Sequence, residues 1–112
     1  MVATLLVAVV ALLHVGFAVL EMLLWEKPLG RRVFGTGREE AAATRVLAAN
    51  QGLYNLFLAA GLGWALWLGV AAAGRPVALF FTGCVVVAGL FGAATASRAI
   101  LVVQALPGAL AM

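Results

Sequence analysis

A chain of 112 residues that is 66% apolar and only 10% charged, with a mean hydropathy of +1.17, cannot hide its apolar surface from water at this size. The net charge of +3 does not indicate a nucleic-acid partner, because the Lys and Arg residues stand at segment ends rather than along one basic face. Cys84 is the single cysteine, which excludes a disulfide framework or a cysteine-built metal site within one chain. The expectation is an all-α, polytopic membrane protein of the inner (plasma) membrane, with four transmembrane helices in one compact bundle and a single domain over residues 1–112.

Residues 2–25 supply the first span, of about the 20 residues needed to cross the hydrocarbon core, interrupted only by His14 and Glu21. No basic residue precedes His14, so the segment reads as a retained helix rather than a cleaved signal. Trp25 marks the interface, and Glu26-Lys27-Pro28-Leu29-Gly30-Arg31-Arg32 reads as a charged turn. Within the polar connection over residues 26–43, Thr36-Gly37-Arg38-Glu39 has the spacing of a capping box, so a helix is expected to begin near Gly37. If it continues to Ala73 it has roughly 36 residues and a length of about 54 Å, more than one crossing needs, with the span proper at 44–73. Gly61-Leu62-Gly63 is a candidate point of loosening.

Gly74 is placed to end that helix and Pro76 to start the next span, at 77–95. Gly83, Gly89, Gly92, Ala88, Ala93 and Ala94 on it are expected to form a packing face, with Thr82 and Cys84 as ordinary members. The fourth span, 98–112, is only about 15 residues or 22 Å long, with Pro107 as a candidate kink. Lys27, Arg31, Arg32, Arg38, Arg45 and Arg98 fall on one side and Arg75 alone on the other. The excess side is expected to be cytoplasmic and both termini outer.

The polar residues inside these spans are the candidate site. Asn50, Gln51, Tyr54 and Asn55 fall within an arc of about 140° on one helix, and unpaired amides in hydrocarbon cost roughly 2–7 kcal/mol, so the arc is expected to face inward. At about 1.5 Å per residue, Glu21, Asn50, Gln51 and Gln104 share a layer roughly 6–9 Å inside the cytoplasmic boundary, with His14 and Tyr54 deeper. Glu21 is the leading candidate, an ionisable carboxyl among amides and a phenol that is suited to exchange a proton. The plain alternatives are that Glu21 snorkels to the interface or pairs with Arg98 or a loop Arg, that His14 is a hydrogen-bonded core residue, and that Asn50, Gln51, Asn55 and Gln104 are interhelical glue worth about 0.6–2 kcal/mol each. One His and one Glu make a weak metal signal and His14 alone a weak haem signal, so no metal or cofactor is expected. Trp25, Trp64 and Trp67 read as interface anchors.

The segments HVGFAVLEMLLW at His14 to Trp25, AANQGLYNLFLAAGL at Ala48 to Leu62, GCVVVAGLFGAAT at Gly83 to Thr95 and VQALPG at Val103 to Gly108 resemble the domain-of-unknown-function 1304 family of small integral membrane proteins. Where many members place a Tyr two positions after the His, this chain has Gly16. The resemblance implies a four-span membrane protein and no settled activity.

Three functions fit the residues. The leading one is a protein that binds or transports a small lipophilic or amphipathic molecule with proton coupling, in the manner of compact four-helix exporters. Too few helices then enclose a path, and a homo-oligomer in the lipid bilayer follows. The second is a membrane-embedded enzyme with Glu21 and His14 as acid and base and with Tyr54, Asn50 and Gln51 on a substrate oxygen. The third is an accessory subunit with a purely structural polar cluster.

Overall fold

The structure, a computed structural model, describes residues 1–95 and 104–112. Among the described residues all regular structure is helical: α1 Val2–Met22, α2 Pro28–Phe34, α3 Arg38–Leu68, α4 Arg75–Thr95 and α5 Leu106–Ala111, with a widened turn at Gly69–Ala73 after α3. Among the described residues three helical stretches are long and apolar enough to cross a membrane, namely Val2–Met22, Arg38–Ala73 and Arg75–Thr95. Of the segment assigned to a fourth span, residues 98–103 lie outside the described residues, as does Ser97, and the described part holds the short α5.

The chain forms two compact units, Leu13–Phe57 and Met1–Leu12 with Leu58–Met112. The second unit is built on aliphatic packing, with Val7, Val10, Leu62, Ala65, Ala78, Val85 and Ala111 as its buried core. Small residues set its close approaches. A Cβ on Gly89 would stand 2.8 Å from the Ala105 Cα, and one on Gly108 would stand 2.8 Å from Val85, so α4 and the C-terminal segment meet almost backbone to backbone. Of the glycines on α4, Gly89 is the one that is buried. Thr82 turns its hydroxyl back to the Ala78 carbonyl at 2.6 Å and so stays satisfied inside the helix.

Gly61-Leu62-Gly63 does not loosen α3. The helix is continuous there, because the Phe81 ring fills the space a Gly61 side chain would take and Leu62 is fully buried. The irregularity comes later, where Gly69 adopts φ +91 and Ala72 leaves helical geometry. Gly74 then closes the turn with its N–H on the Gly69 carbonyl, and any side chain there would run into the Ala65 carbonyl. Pro107 sits in the first turn of α5, directly after the helical Gln104 and Ala105, and the residues before Gln104, on which the expected kink depends, lie outside the described residues.

The first unit is a helical hairpin with a short helix in its connection. Pro28 opens α2 at a position suited to its fixed φ, and Gly35 closes it in the left-handed region at φ 67. The Thr36 N–H bonds to the Arg31 carbonyl across that end. The capping box at Thr36 and Glu39 is not formed. The helix starts one residue later, Gly37 takes the cap position with its carbonyl bound by the Ala41 N–H, and the Thr36 hydroxyl is buried with no hydrogen bond, as is Arg31 Nε. Trp25 fastens the connection: its indole N–H lies 3.1 Å from the Ala41 carbonyl and 3.2 Å from Thr44 Oγ1, and its ring packs against Phe34 at 4.9 Å.

Candidate functional site

Buried residues on α1 recur at 3–4 spacing as Val7, Val10, His14, Ala18 and Glu21, so one stripe of the helix changes from aliphatic to ionisable toward its C-terminal end. On α3 the corresponding stripe is Ala41, Ala48, Gly52 and Ala59. Gly52 decides the geometry here. A Cβ at that position would stand 3.2 Å from the Ala18 carbonyl and would collide with the Met22 side chain, so the absence of one lets α3 lie directly against α1. Ala48 and Gly52 are four residues apart, the small-residue spacing that favours close helix pairing in lipid.

That approach brings Glu21 and Asn55 together. Glu21 is 5% exposed, and its Oε1 accepts a hydrogen bond from Asn55 Nδ2 on the facing helix. His14, two turns or about 10 Å farther along α1, is completely buried on the same face, with the Phe17 ring edge-on at 5.3 Å. The first unit therefore holds a buried carboxyl, a buried imidazole and a bridging amide between two helices. Ionisable groups placed in this way inside a membrane face the bundle interior and mark ligand or proton routes, or act as specific helix ties.

The inward arc predicted for α3 is corrected by the structure. Taking about 100° per residue from Asn50, the buried Ala48, Gly52 and Ala59 lie roughly 160–180° away, Asn55 about 140°, Gln51 about 100° and Tyr54 about 40°. Only Asn55 thus turns toward α1, while Asn50, Gln51 and Tyr54 are exposed. Asn50 donates to the Tyr54 hydroxyl one turn away, at 3.4 Å, rather than to α1. The expected set accordingly resolves into Glu21, Asn55 and His14 inside and Asn50, Gln51 and Tyr54 outside. Gln104 is half-buried in the other unit.

Among the described residues Glu21 is not paired with an Arg, and Arg98, an expected partner, lies outside them. The ion pair of this unit is Arg45 with Glu26 at 3.5 Å, both well exposed, so the loop satisfies its own charge and leaves the buried carboxyl to Asn55. Among the described residues no group of three His, Cys, Asp or Glu side chains is placed to hold a metal ion. Sequence reasoning passed over Gly52 and Thr44. The signal for Gly52 was its place within the polar run, four residues after Ala48; for Thr44 it was only the nearness of Trp25 to a helix start.

Compared with known proteins, residues 8–112 match the family model described as a protein of unknown function (DUF1304). No curated protein and no solved structure matches the chain.

Proposed function

For a chain that belongs to the DUF1304 family, we propose a role as an integral membrane protein that binds or transports a small lipophilic or amphipathic molecule, with Glu21 exchanging a proton as the ligand enters or leaves. The observation that carries this reading is the burial of the Glu21 carboxyl on a long apolar helix, held across the interface by Asn55 and with His14 on the same face. A helix tie alone is achieved in lipid by amides and hydroxyls, whereas a carboxyl brings the ability to change charge. The route would run along the His14–Glu21 face of α1. The same reading takes residues 98–112 as a fourth span in the inner (plasma) membrane, with the connection that carries Arg31, Arg32 and Arg38 in the cytoplasm and both termini outside. The run of basic residues in that connection supports this orientation.

A structural role is the second reading, favoured by the fact that Asn55 already engages Glu21 within one chain. An acid–base enzyme loses support, because Asn50, Gln51 and Tyr54, which it needs beside the carboxyl, face away from it. Thermal shift on purified protein with a panel of amphipathic cations, run from acid to neutral pH, separates the first two. A cation that displaces a proton is bound more tightly as the proton becomes scarce, so ligand stabilisation should rise with pH in the wild type. Glu21→Gln should abolish that rise, while His14→Gln tests whether the imidazole is the titrating partner instead. Absence of any ligand response, with Glu21→Gln at wild-type stability, leaves the structural reading.

A further inference from the structure

The outward face of α3 carries a pattern that the site does not use. Leu47, Asn50, Tyr54 and Phe57 follow at 3–4–3 spacing, and all four are exposed, Leu47 by 70%, Tyr54 by 54% and Phe57 by 55%. Asn50 lies at the centre of this face, diametrically opposite the Gly52 line that meets α1. From Val46 to Ala73 the chain has no charged residue. Counted at about 1.5 Å per residue from Arg45, Asn50 is roughly 8 Å and Tyr54 roughly 14 Å along that uncharged run, at the depth of lipid chains. An amide directed at hydrocarbon is unfavourable, and an apolar stripe of 3.5-residue period with one Asn in it is the pattern by which helices pair in a fixed register.

We infer that this face is the seam of a homodimer, in which α3 of two copies packs in parallel with Asn50 beside the partner's Asn50. Two copies inserted in the same direction are related by a two-fold axis along the membrane normal, which sets each residue of the seam against its own counterpart. The Asn50 amide is complementary to itself under that operation, with N–H groups of one copy meeting the carbonyl oxygen of the other. Its internal bond to the Tyr54 hydroxyl, at 3.4 Å, uses one N–H and leaves the second N–H, the amide oxygen and the phenolic proton for the partner. The stripe bears no charge, so the copies meet without like-charge repulsion. A lipid tail offers none of these hydrogen-bond partners, and the same helix cannot turn Asn50 inward without withdrawing Asn55 from Glu21. The inference does not depend on ligand binding.

The test is a cysteine scan in a Cys84→Ala background, with single cysteines at positions 47, 49, 50, 54, 56 and 57 and mild oxidation in native membranes. Disulfide-linked dimers are expected at 47, 50, 54 and 57 and not at 49 and 56. In parallel, single-molecule subunit counting in liposomes measures the dimer fraction against protein density. Asn50→Leu should weaken dimerisation by about threefold to twentyfold, as loss of interhelical amide bonds does in bilayers, while leaving the stability of the detergent-solubilised monomer at or above the wild-type level. A monomer at every density, cross-linking through 49 and 56 rather than the seam positions, or a dimer indifferent to Asn50→Leu each overturns the proposal.

Discussion

At the scale of single residues, the hydrogen bond between Glu21 and Asn55 makes the most direct claim. Removing one partner leaves the other buried and unpaired, which costs roughly 1–3 kcal/mol, whereas removing both leaves an apolar contact of similar shape. Asn55→Leu is therefore expected to lower thermal stability in detergent, and Glu21→Leu combined with Asn55→Leu to recover part of the loss; a double-mutant cycle on the melting temperatures reads the coupling. Trp25→Phe keeps the ring against Phe34 but deletes the N–H shared by the Ala41 carbonyl and Thr44. It should cost about 1 kcal/mol and loosen the connection, seen as faster proteolysis between residues 26 and 43. His14 and Glu21 could be picked out from the amino-acid sequence because polar residues are conspicuous in an apolar run. The direction in which Asn50, Gln51 and Tyr54 point could not, since spacing fixes the angles among residues of one helix but not the rotation of that helix against its neighbour.

At the scale of elements, that missing rotation is supplied by the smallest side chains. Ala48, Gly52 and Ala59 mark the line where α3 goes inward, and nothing on the polar side of the helix competes with the backbone approach at Gly52. Gly52→Val should therefore be among the most damaging substitutions in α3, with a loss of about 1–3 kcal/mol from overpacking against Ala18 and Met22, and it should disrupt the Glu21–Asn55 pair as well. A melting curve of the purified variant checks the first effect. The second requires that adding Asn55→Leu to Gly52→Val costs little more. The long helices and their ends were legible as apolar runs closed by Pro, Gly and charge. The short α2 was not, because Pro28 and Gly30 together read as a turn. Pro28 is instead a helix start, and Gly30 is needed where the helix lies on the Leu24 carbonyl.

At the scale of the whole molecule, the basic connection and the length of α3 govern how the chain lies in a bilayer. With single cysteines in a Cys84→Ala background, a membrane-impermeant thiol reagent should miss position 38 in intact cells and reach it once the membrane is opened. Labelling of that position from outside would invert the topology. Trp64 and Trp67, 53% and 82% exposed near the other end of α3, suit the opposite interface. The composition announced a membrane protein without ambiguity. It is silent on residues 98–112, where a short apolar stretch can cross a thinned bilayer or lie against its neighbours, since length alone does not separate the two.

The separation between Glu21 and its partner along the chain has a consequence for biogenesis. Asn55 follows Glu21 by 34 residues, so α1 emerges from the ribosome while the amide that will meet its carboxyl is still inside the exit tunnel. An isolated α1 must either enter lipid with that group uncompensated or wait at the insertion machinery until α3 arrives, and the second route is the less costly when a charged side chain adds a few kcal/mol to insertion. The two helices should then partition together as one hairpin. Translation intermediates long enough to expose α1 but with Asn55 still in the exit tunnel should remain extractable from microsomes by alkaline carbonate, intermediates with α3 emerged should resist extraction, and Glu21→Leu should make the shorter intermediates resist as well.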